Sequence, residues 1–320
     1  MDIEKEFKKM KAYIYKWHKK DKGEWFPDVD SEGSEKENID LYIKEILSDT
    51  QNEIKYLSLY FQEMASWKMN QSQYALLYKE DQDSFYKAFS ESAEYAYLEL
   101  IMDQKRAFDL GMPSVGFTLA LQCLLKNEDK YKMVAEAMLY SLHHYIPEKH
   151  DKQGVGVIIG NGRDDIVSAW FMLDLYCLAY ERSYDKDKAS LPINYAPYDE
   201  VLQEWDTTDI QKVDKLVYKL CEMHILRGIR SGDMDKDWFQ EFAHNEQQLF
   251  PFEILVWLQM RKDKGLKNPE KYTHYFMQEP LAKSFPLDAP LELPSIPHIE
   301  LLKIEHPELY AKYLRERKNG

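Results

Sequence analysis

Apolar side chains recur at every third or fourth residue along most of this chain, which is the spacing of one face of an α-helix. Glycine and proline are sparse before the last quarter of the sequence, and β-branched residues are few. The pattern therefore predicts an all-α protein. The predicted helices cover residues 5–20, 39–69, 73–110 with a break near 81–84, 114–125, 130–145, 164–181, 198–204, 210–227, 235–244, 250–264 and 299–317.

Two proline-bearing segments interrupt this helical pattern. The segment 183–197 follows a long apolar helix and contains two prolines, so it is predicted to separate two domains. The expectation is two packed multi-helix domains, one over residues 1–182 and one over residues 195–320. Five prolines between residues 280 and 297 predict an extended segment that leads into a terminal helix.

The overall charge limits the classes of partner. The chain has 320 residues, with 42 lysines and arginines against 56 acidic residues, and its formal net charge is −14. Such a charge disfavours binding to nucleic acid or to an anionic membrane surface. No stretch approaches the roughly 20 apolar residues of a membrane span, and the N-terminus lacks the apolar core of a secretion signal.

The cysteines point to the same kind of protein. Cys123, Cys177 and Cys221 are far apart and lie inside helical patterns. This is typical of small buried thiols in a reducing compartment. We therefore expect a cytoplasmic protein that binds no cofactor and no metal.

Two stretches combine acidic side chains with aromatic ones. Residues 189–211 hold five acids and no lysine or arginine, and residues 233–260 hold six acids against Lys236 alone. A disordered tail seldom carries so many aromatic rings, because they would be left in water. The composition predicts either an ordinary solvated surface of an acidic protein or a folded, negatively charged face that attracts a basic partner.

A metal-dependent helical enzyme stays open as an alternative. The glycine-rich segment 153–163 matches neither a dinucleotide-binding nor a P-loop spacing and is predicted to be a loop that docks on the core. Cys221 and His224 share a helix face, but a structural zinc needs two further ligands. Glu253 lies in a very apolar helix start, where it is predicted to cap the helix or to pair with a cation such as Arg261. The other candidate ligands or catalytic groups are His143, His144, His150, Asp164 and Asp165.

The order of framework residues from about Tyr195 to Leu281 is distinctive. Val201-Leu202-x-x-Trp205 precedes Asp209-Ile210, Val213-Asp214 and a helix that reaches His224, and then come Pro251-Phe252-Glu253-Ile254 and Arg261-x-x-x-Gly265-Leu266. This order resembles the C-terminal domain of PoNi-like immunity proteins, the bacterial antidotes to PoNe-type DNase toxins. In that family a helical N-terminal domain comes first, and residues 1–180 are similar to it in length and character.

The resemblance implies an immunity protein for interbacterial competition, which binds a secreted nuclease toxin and is not itself an enzyme. An acidic helical surface would occlude the basic groove in which the toxin binds DNA. A helical adaptor for an unrelated protein is the other alternative, and a homodimer stays open. The predicted toxin contacts are Asp199, Glu200, Glu204, Asp206, Asp233, Asp235, Asp237 and Glu241, with Tyr198 and Trp238 as anchors. The family pattern implies structural roles for Trp205, Asp209, His224, Glu253 and Arg261.

Overall fold

The structure, a computed structural model, describes residues 2–21, 53–102, 112–144, 167–186, 195–229, 241–242 and 245–291. These residues form helices and turns without a strand, which confirms the predicted all-α class. None of the described helices combines the length and apolarity needed to cross a membrane. In chain order the helices are α1 (Ile3–Asp21), α2 (Glu53–Lys79), α3 (Gln82–Met102), α4 (Met112–Leu124), α5 (Glu128–His144), α6 (Val167–Tyr180), α7 (Tyr198–Gln203), α8 (Ile210–Gly228), α9 (Asn245–Gln248), α10 (Phe252–Asp263) and α11 (Pro280–Lys283), and a 3-10 helix lies at Tyr275–Gln278.

The predicted break near residues 81–84 is confirmed, and local features explain it. Glu80 follows the end of α2 in the left-handed backbone region, with φ of 53°. The carboxylate of Asp81 then accepts a hydrogen bond from the backbone N–H of Ser84 at 3.0 Å. A residue in the left-handed region ends a helix, and a short polar side chain such as that of Asp81 caps the next one.

A second predicted break, at residues 70–72, is wrong, because α2 continues through it. Asn70 and Ser72 have low helix propensity, but both are buried. The Ser72 hydroxyl donates to the carbonyl oxygen of Met69 at 2.7 Å, so it is satisfied within the helix. Tertiary packing outweighs propensity at this point.

The proline-rich segment also differs from its prediction at its start. Pro280 occupies the first turn of α11, where a residue without an N–H donor is tolerated. Residues 284–291 then follow without regular structure. The remainder of the predicted extended segment, the terminal helix at 299–317, most of the predicted helix at 235–244 and the glycine-rich segment 153–163 lie outside the described residues.

Contacts divide the chain into two units, residues 1–17 with 111–290 and residues 18–110 with 291–320. In the second unit, α2 and α3 pack along their length as a helical hairpin. The Ser92 hydroxyl links them by donating to the carbonyl oxygen of Ala65 at 2.7 Å. The shared face is largely aromatic, with rings such as Phe61, Phe85, Phe89 and Tyr95 buried.

The first unit is built around α4, α6 and α10, which pack against one another. Every side chain from Val167 to Cys177 in α6 and from Phe252 to Arg261 in α10 is buried. A helix that is buried on all sides needs no polar face. These two helices therefore form the core on which the surface helices α7 and α8 are placed.

The predicted division between residues 1–182 and 195–320 does not coincide with these units. α4 and α6 precede the predicted boundary, yet both pack on α10, which follows it. The boundary segment is also tied down on both sides, because the hydroxyls of Tyr184 and Tyr195 each donate to the buried carboxylate of Asp174 at 2.9 Å. The described residues on both sides of the segment, 183–186 and 195–197, therefore belong to one unit.

A glycine allows α4 and α6 to approach closely. A Cβ atom added at Gly116 would lie 2.5 Å from the Cβ of Ala169, far inside van der Waals contact. The residue at position 116 therefore sets the spacing of the two helices.

We expect Gly116→Ala to lower the free energy of unfolding by about 1–3 kcal/mol, because the added methyl group forces α4 and α6 apart. Urea denaturation followed by circular dichroism measures this change. Combining Gly116→Ala with Ala169→Gly removes the opposing methyl group and should restore part of the loss. An unaffected single variant, or a double variant as unstable as the sum of both single changes, would contradict the close contact.

Candidate protein-binding surface

A buried arginine connects the core to the surface of the first unit. Arg261, near the end of α10, is 0% exposed. Its guanidinium donates to the carbonyl oxygens of Trp205 and Thr207, each at 2.8 Å, and of Lys267 at 2.9 Å. It also donates to the side-chain oxygen of Asn268 at 3.1 Å. One planar group thus fixes two separate loops.

Burial lowers the pKa of the Arg261 guanidinium, and the nearby Tyr272 and Asp206 oppose this shift. An arginine nevertheless keeps its charge in a protein. The three carbonyl oxygens therefore stabilise the buried positive charge. The exposed carboxylate of Asp206 also interacts favourably with it. Buried charges are tolerated only with such complete hydrogen bonding.

A tryptophan supports the first of these loops from the same helix. The indole N–H of Trp257 donates to the carbonyl oxygen of Trp205 at 3.0 Å, so this oxygen accepts from both Trp257 and Arg261. The Arg261 guanidinium lies 5.6 Å from the centre of the Trp257 ring. The two donors on α10 therefore determine where the chain runs after α7.

Asp209 fixes the other end of this loop. Its side chain caps α8 by accepting from the backbone N–H groups of Gln211 and Lys212, at 2.9 and 3.2 Å. The predicted cap is thus confirmed. We call residues 204–209 the acidic turn, because Glu204, Asp206 and Asp209 lie in it between two fixed ends.

The carboxylates at this surface differ in how far they are neutralised. Asp199 and Asp206 are exposed to solvent. Glu200 pairs with Lys219, and Glu204 pairs with Lys212 at 2.6 Å. Both lysines belong to α8 and therefore lie outside the stretch 189–211 in which the sequence shows no base. The expected uniformly negative face is thus partly compensated by a neighbouring helix.

Two of the predicted toxin contacts are wrong because their side chains are buried. Tyr198 is 0% exposed, and its ring packs 4.5 Å from that of Phe171. The Glu241 side chain pairs with Arg227 and accepts from the backbone N–H of Ser168 at 2.6 Å. Burial raises the pKa of Glu241, while Arg227 and Ser168 counteract the shift. Neither side chain is available to a partner.

Most of the predicted contacts in the second acidic stretch, residues 233–260, lie outside the described residues. Asp233, Asp235, Asp237 and Trp238, which were predicted as toxin contacts, lie outside the described residues. The same holds for His150, Asp164 and Asp165 of the metal alternative, and for the side chains of His143 and His144. Within the described ranges there is no group of three or more His, Cys, Asp or Glu residues suited to a metal ion.

His224 and Glu253 form a buried pair, both 0% exposed. The Nδ1 atom of His224 lies 2.8 Å from Oε1 of Glu253, and its Nε2 atom lies 3.1 Å from the carbonyl oxygen of Gln247. A carbonyl oxygen can only accept, so Nε2 must carry a proton. The Phe242 ring stacks on the imidazole with centroids 4.0 Å apart. Glu253 therefore pairs with His224 and not with the proposed Arg261, and the pair connects α8 to α10.

A mixed-charge cleft of about 370 Å³ lies beside Cys123. Its charges compensate one another, since Lys126 pairs with Asp263 at 3.1 Å. Lys264 lies 4.4 Å from the ring centre of Tyr180, whose pKa burial raises to about 12. Burial raises the pKa of the Cys123 thiol as well, which disfavours the reactive thiolate. All three cysteines are free and buried, as predicted.

The sequence patterns did not predict a second candidate surface. Residues 262–286 enclose a cleft of about 600 Å³, which we call the lysine groove after Lys262, Lys267, Lys271 and Lys283 in its lining. Arg261 binds the carbonyl oxygen of Lys267, so the groove adjoins the loop that this guanidinium fixes. The available signal was the run of four lysines within residues 262–271, which the negative net charge of the whole chain does not reveal.

No protein-family model matches the chain, and no curated protein and no solved structure is detectably similar to it. The resemblance to PoNi-like proteins therefore stays a prediction from residue order. Three of its framework residues, Trp205, Asp209 and Arg261, meet in the acidic turn and its support. The other two, His224 and Glu253, form the buried pair.

We expect Arg261→Lys to lower the free energy of unfolding by about 2–4 kcal/mol. A lysine cannot reach four acceptors at once, and it leaves buried carbonyl oxygens without donors. Urea denaturation measures the loss. Arg182→Lys is the matched control, because Arg182 is exposed and pairs with Glu136 at the surface. Equal stability of the Arg261→Lys variant and the control would contradict the role of the buried guanidinium.

The backbone fixes the protonation state of His274, which precedes the 3-10 helix beside the lysine groove. Its Nδ1 atom accepts from the backbone N–H of Phe276 at 3.1 Å, so this nitrogen carries no proton, and Nε2 faces Glu222 at 3.1 Å. Burial lowers the pKa of His274, and Glu222 opposes the shift. With a lowered pKa in the folded state, its contribution to stability is complete above about pH 6.5 and decreases as the pH falls through the folded-state value.

We expect His274→Asn to keep the cap, since asparagine also supplies an acceptor, but to remove this part of the pH dependence. Urea midpoints of the two proteins are compared between about pH 7.5 and pH 5. The wild type should lose stability more steeply than the variant over this interval. Parallel curves for the two proteins would rule out a contribution from His274.

Proposed function

We propose that this chain is an immunity protein that binds a secreted bacterial nuclease toxin and occludes its DNA-binding groove. One observation carries the proposal: exposed carboxylates stand on a turn that Arg261 and Trp257 hold from beneath. A basic partner would meet these charges in a fixed arrangement. The rest of the support comes from the charge of the chain and from the residue order described above.

Electrostatic attraction favours such an encounter. The chain carries a formal net charge of −14, and a nuclease needs a positively charged surface to hold DNA. Surfaces of opposite charge accelerate the association of two proteins, and a negatively charged surface repels partners that are also negative. Asp199 and Asp206 are exposed, so they are the strongest candidates for the first contacts. Glu200 and Glu204 contribute less, because Lys219 and Lys212 already pair with them.

Preorganisation adds affinity to this attraction. Ordering a loop when a complex forms costs binding free energy, and a loop that is already ordered avoids that cost. The acidic turn is held by Arg261 and Trp257 on one side and by the Asp209 cap on the other. A turn of this kind presents carboxylates at set positions, as the phosphates of DNA are set by its backbone.

The alternatives lead to different outcomes. A helical adaptor would use the same surface for an unrelated protein and would not protect cells from a toxin. A metal-dependent enzyme that used Glu253 would need access to it, but this carboxylate is 0% exposed and binds His224. The immunity proposal therefore accounts for more of the described features.

Co-expression tests the proposal directly. The chain is produced together with the toxin that is encoded by the adjoining gene, and survival of the cells is measured. We expect full protection by the wild type and growth arrest without it. Cells that die despite folded, abundant protein would refute the immunity function for that toxin.

We expect Asp199→Asn combined with Asp206→Asn to slow association with this toxin by about three- to tenfold at low salt, with little change in dissociation. Surface plasmon resonance measures both rates. The difference should vanish near 1 M salt, where the Debye length falls to about 3 Å. The pair Asp2→Asn and Glu4→Gln removes the same charge from the exposed start of α1 and is the control. Equal slowing by the control would mean that net charge, and not the surface formed by α7 and the acidic turn, drives association.

A further inference from the structure

The lysine groove reverses the charge of the molecule in one place. Its lining contains four lysines and a single acid, Glu270, although acids outnumber bases in the whole chain. Lys267, Lys271 and Lys283 are exposed. None of these three forms an ion pair with any other part of the chain that the structure describes. They are therefore available to negative charges from outside.

Apolar side chains also line the groove. Met277, Ala282 and Phe285 are buried, with only 3%, 2% and 5% of their surfaces exposed. Leu266 and Tyr272 are half-buried at its sides. Leu266 and Tyr272 therefore supply the apolar surface that a ligand can contact, and a ligand that offered charge alone would leave it unused. The lining therefore suits a ligand that carries carboxylates together with apolar side chains.

The groove is formed before any ligand binds. Arg261 holds the carbonyl oxygen of Lys267, and the side-chain amide of Asn268 donates to the carbonyl oxygen of Leu258 at 2.8 Å. On the opposite side, the amide of Gln278 donates to the carbonyl oxygen of Tyr272 at 3.0 Å. These bonds fix an irregular segment whose backbone would otherwise need to be ordered on binding.

We propose that the lysine groove binds an acidic, apolar segment of a partner protein in an extended conformation. The ammonium groups of the three exposed lysines can donate to carboxylates at several positions, because lysine acts as a point charge without a fixed bonding geometry. A cleft of about 600 Å³ accommodates a few side chains and not a folded domain. The proposal does not depend on the acidic turn, which attracts the opposite charge.

Fluorescence anisotropy with the full chain tests this. The probe is a fluorescein-labelled peptide of about ten residues in which Glu alternates with Leu. Two further peptides replace Leu by Ser or Glu by Lys, and a single-stranded oligonucleotide of similar charge serves as a polyanion without apolar side chains. We expect only the Glu–Leu peptide to bind with a dissociation constant below about 100 μM. Comparable binding of the Glu–Ser peptide or the oligonucleotide would show that charge alone is recognised and would overturn the proposal.

Variants locate the site. Lys267→Glu, Lys271→Glu and Lys283→Glu together should weaken the Glu–Leu peptide at least about tenfold, and Leu266→Ser should weaken it about threefold. The control reverses Lys5, Lys8 and Lys9, which are exposed on α1, and gives the same change in net charge. Lys271→Glu alone replaces the triple variant if that fails to fold. No binding to the wild type at 1 mM peptide, or equal weakening by the control, would refute the groove as the site.

Discussion

The organisation of the first unit depends on one buried cation. Arg261 lies at the end of a helix that is buried on all sides, and its guanidinium donates to three carbonyl oxygens and one amide oxygen. Removing a charge from water is costly, so the arrangement is stable only while these acceptors stay in place. The arginine and its acceptors therefore constrain each other: the loops satisfy the charge, and the charge fixes the loops.

This constraint produces two surfaces of opposite charge. The loop at 204–209 presents carboxylates, and the loop at 266–271 presents ammonium groups, yet both bind the same side chain. The His224–Glu253 pair holds α8 against α10 and so supports the helix that follows the acidic turn. Within the first unit, a rigid helical core thus carries short, well-positioned loops, and loops of this kind are where proteins place binding residues.

Much of the fold follows from sequence patterns, and the errors have physical causes. Periodicity places most of the described helices but not the short α9 and α11, and Asp209 identifies the start of α8 because capping is a local interaction. The continuation of α2 through Asn70 is missed, since burial of a weak helix former depends on distant residues. The contact units differ from the predicted domains, because helices on both sides of segment 183–197 pack together and Tyr184 and Tyr195 bind Asp174, contacts that spacing does not reveal.

The candidate site is predictable only in part for the same reason. A window of acidic residues does not show that Lys212 and Lys219 fold back onto Glu204 and Glu200. It also cannot separate an exposed aspartate such as Asp206 from a buried tyrosine such as Tyr198. Charge clusters are visible in sequence, whereas exposure and pairing belong to the tertiary structure.

Hydrogen exchange of the Arg261→Lys variant, compared with the wild type, tests the shared role of this arginine most directly. If one guanidinium holds both loops, amide exchange should accelerate together at residues 204–209 and 266–271 and stay unchanged across 116–124 in α4. Acceleration in only one of the two loops, or a uniform increase along the whole chain, would contradict it.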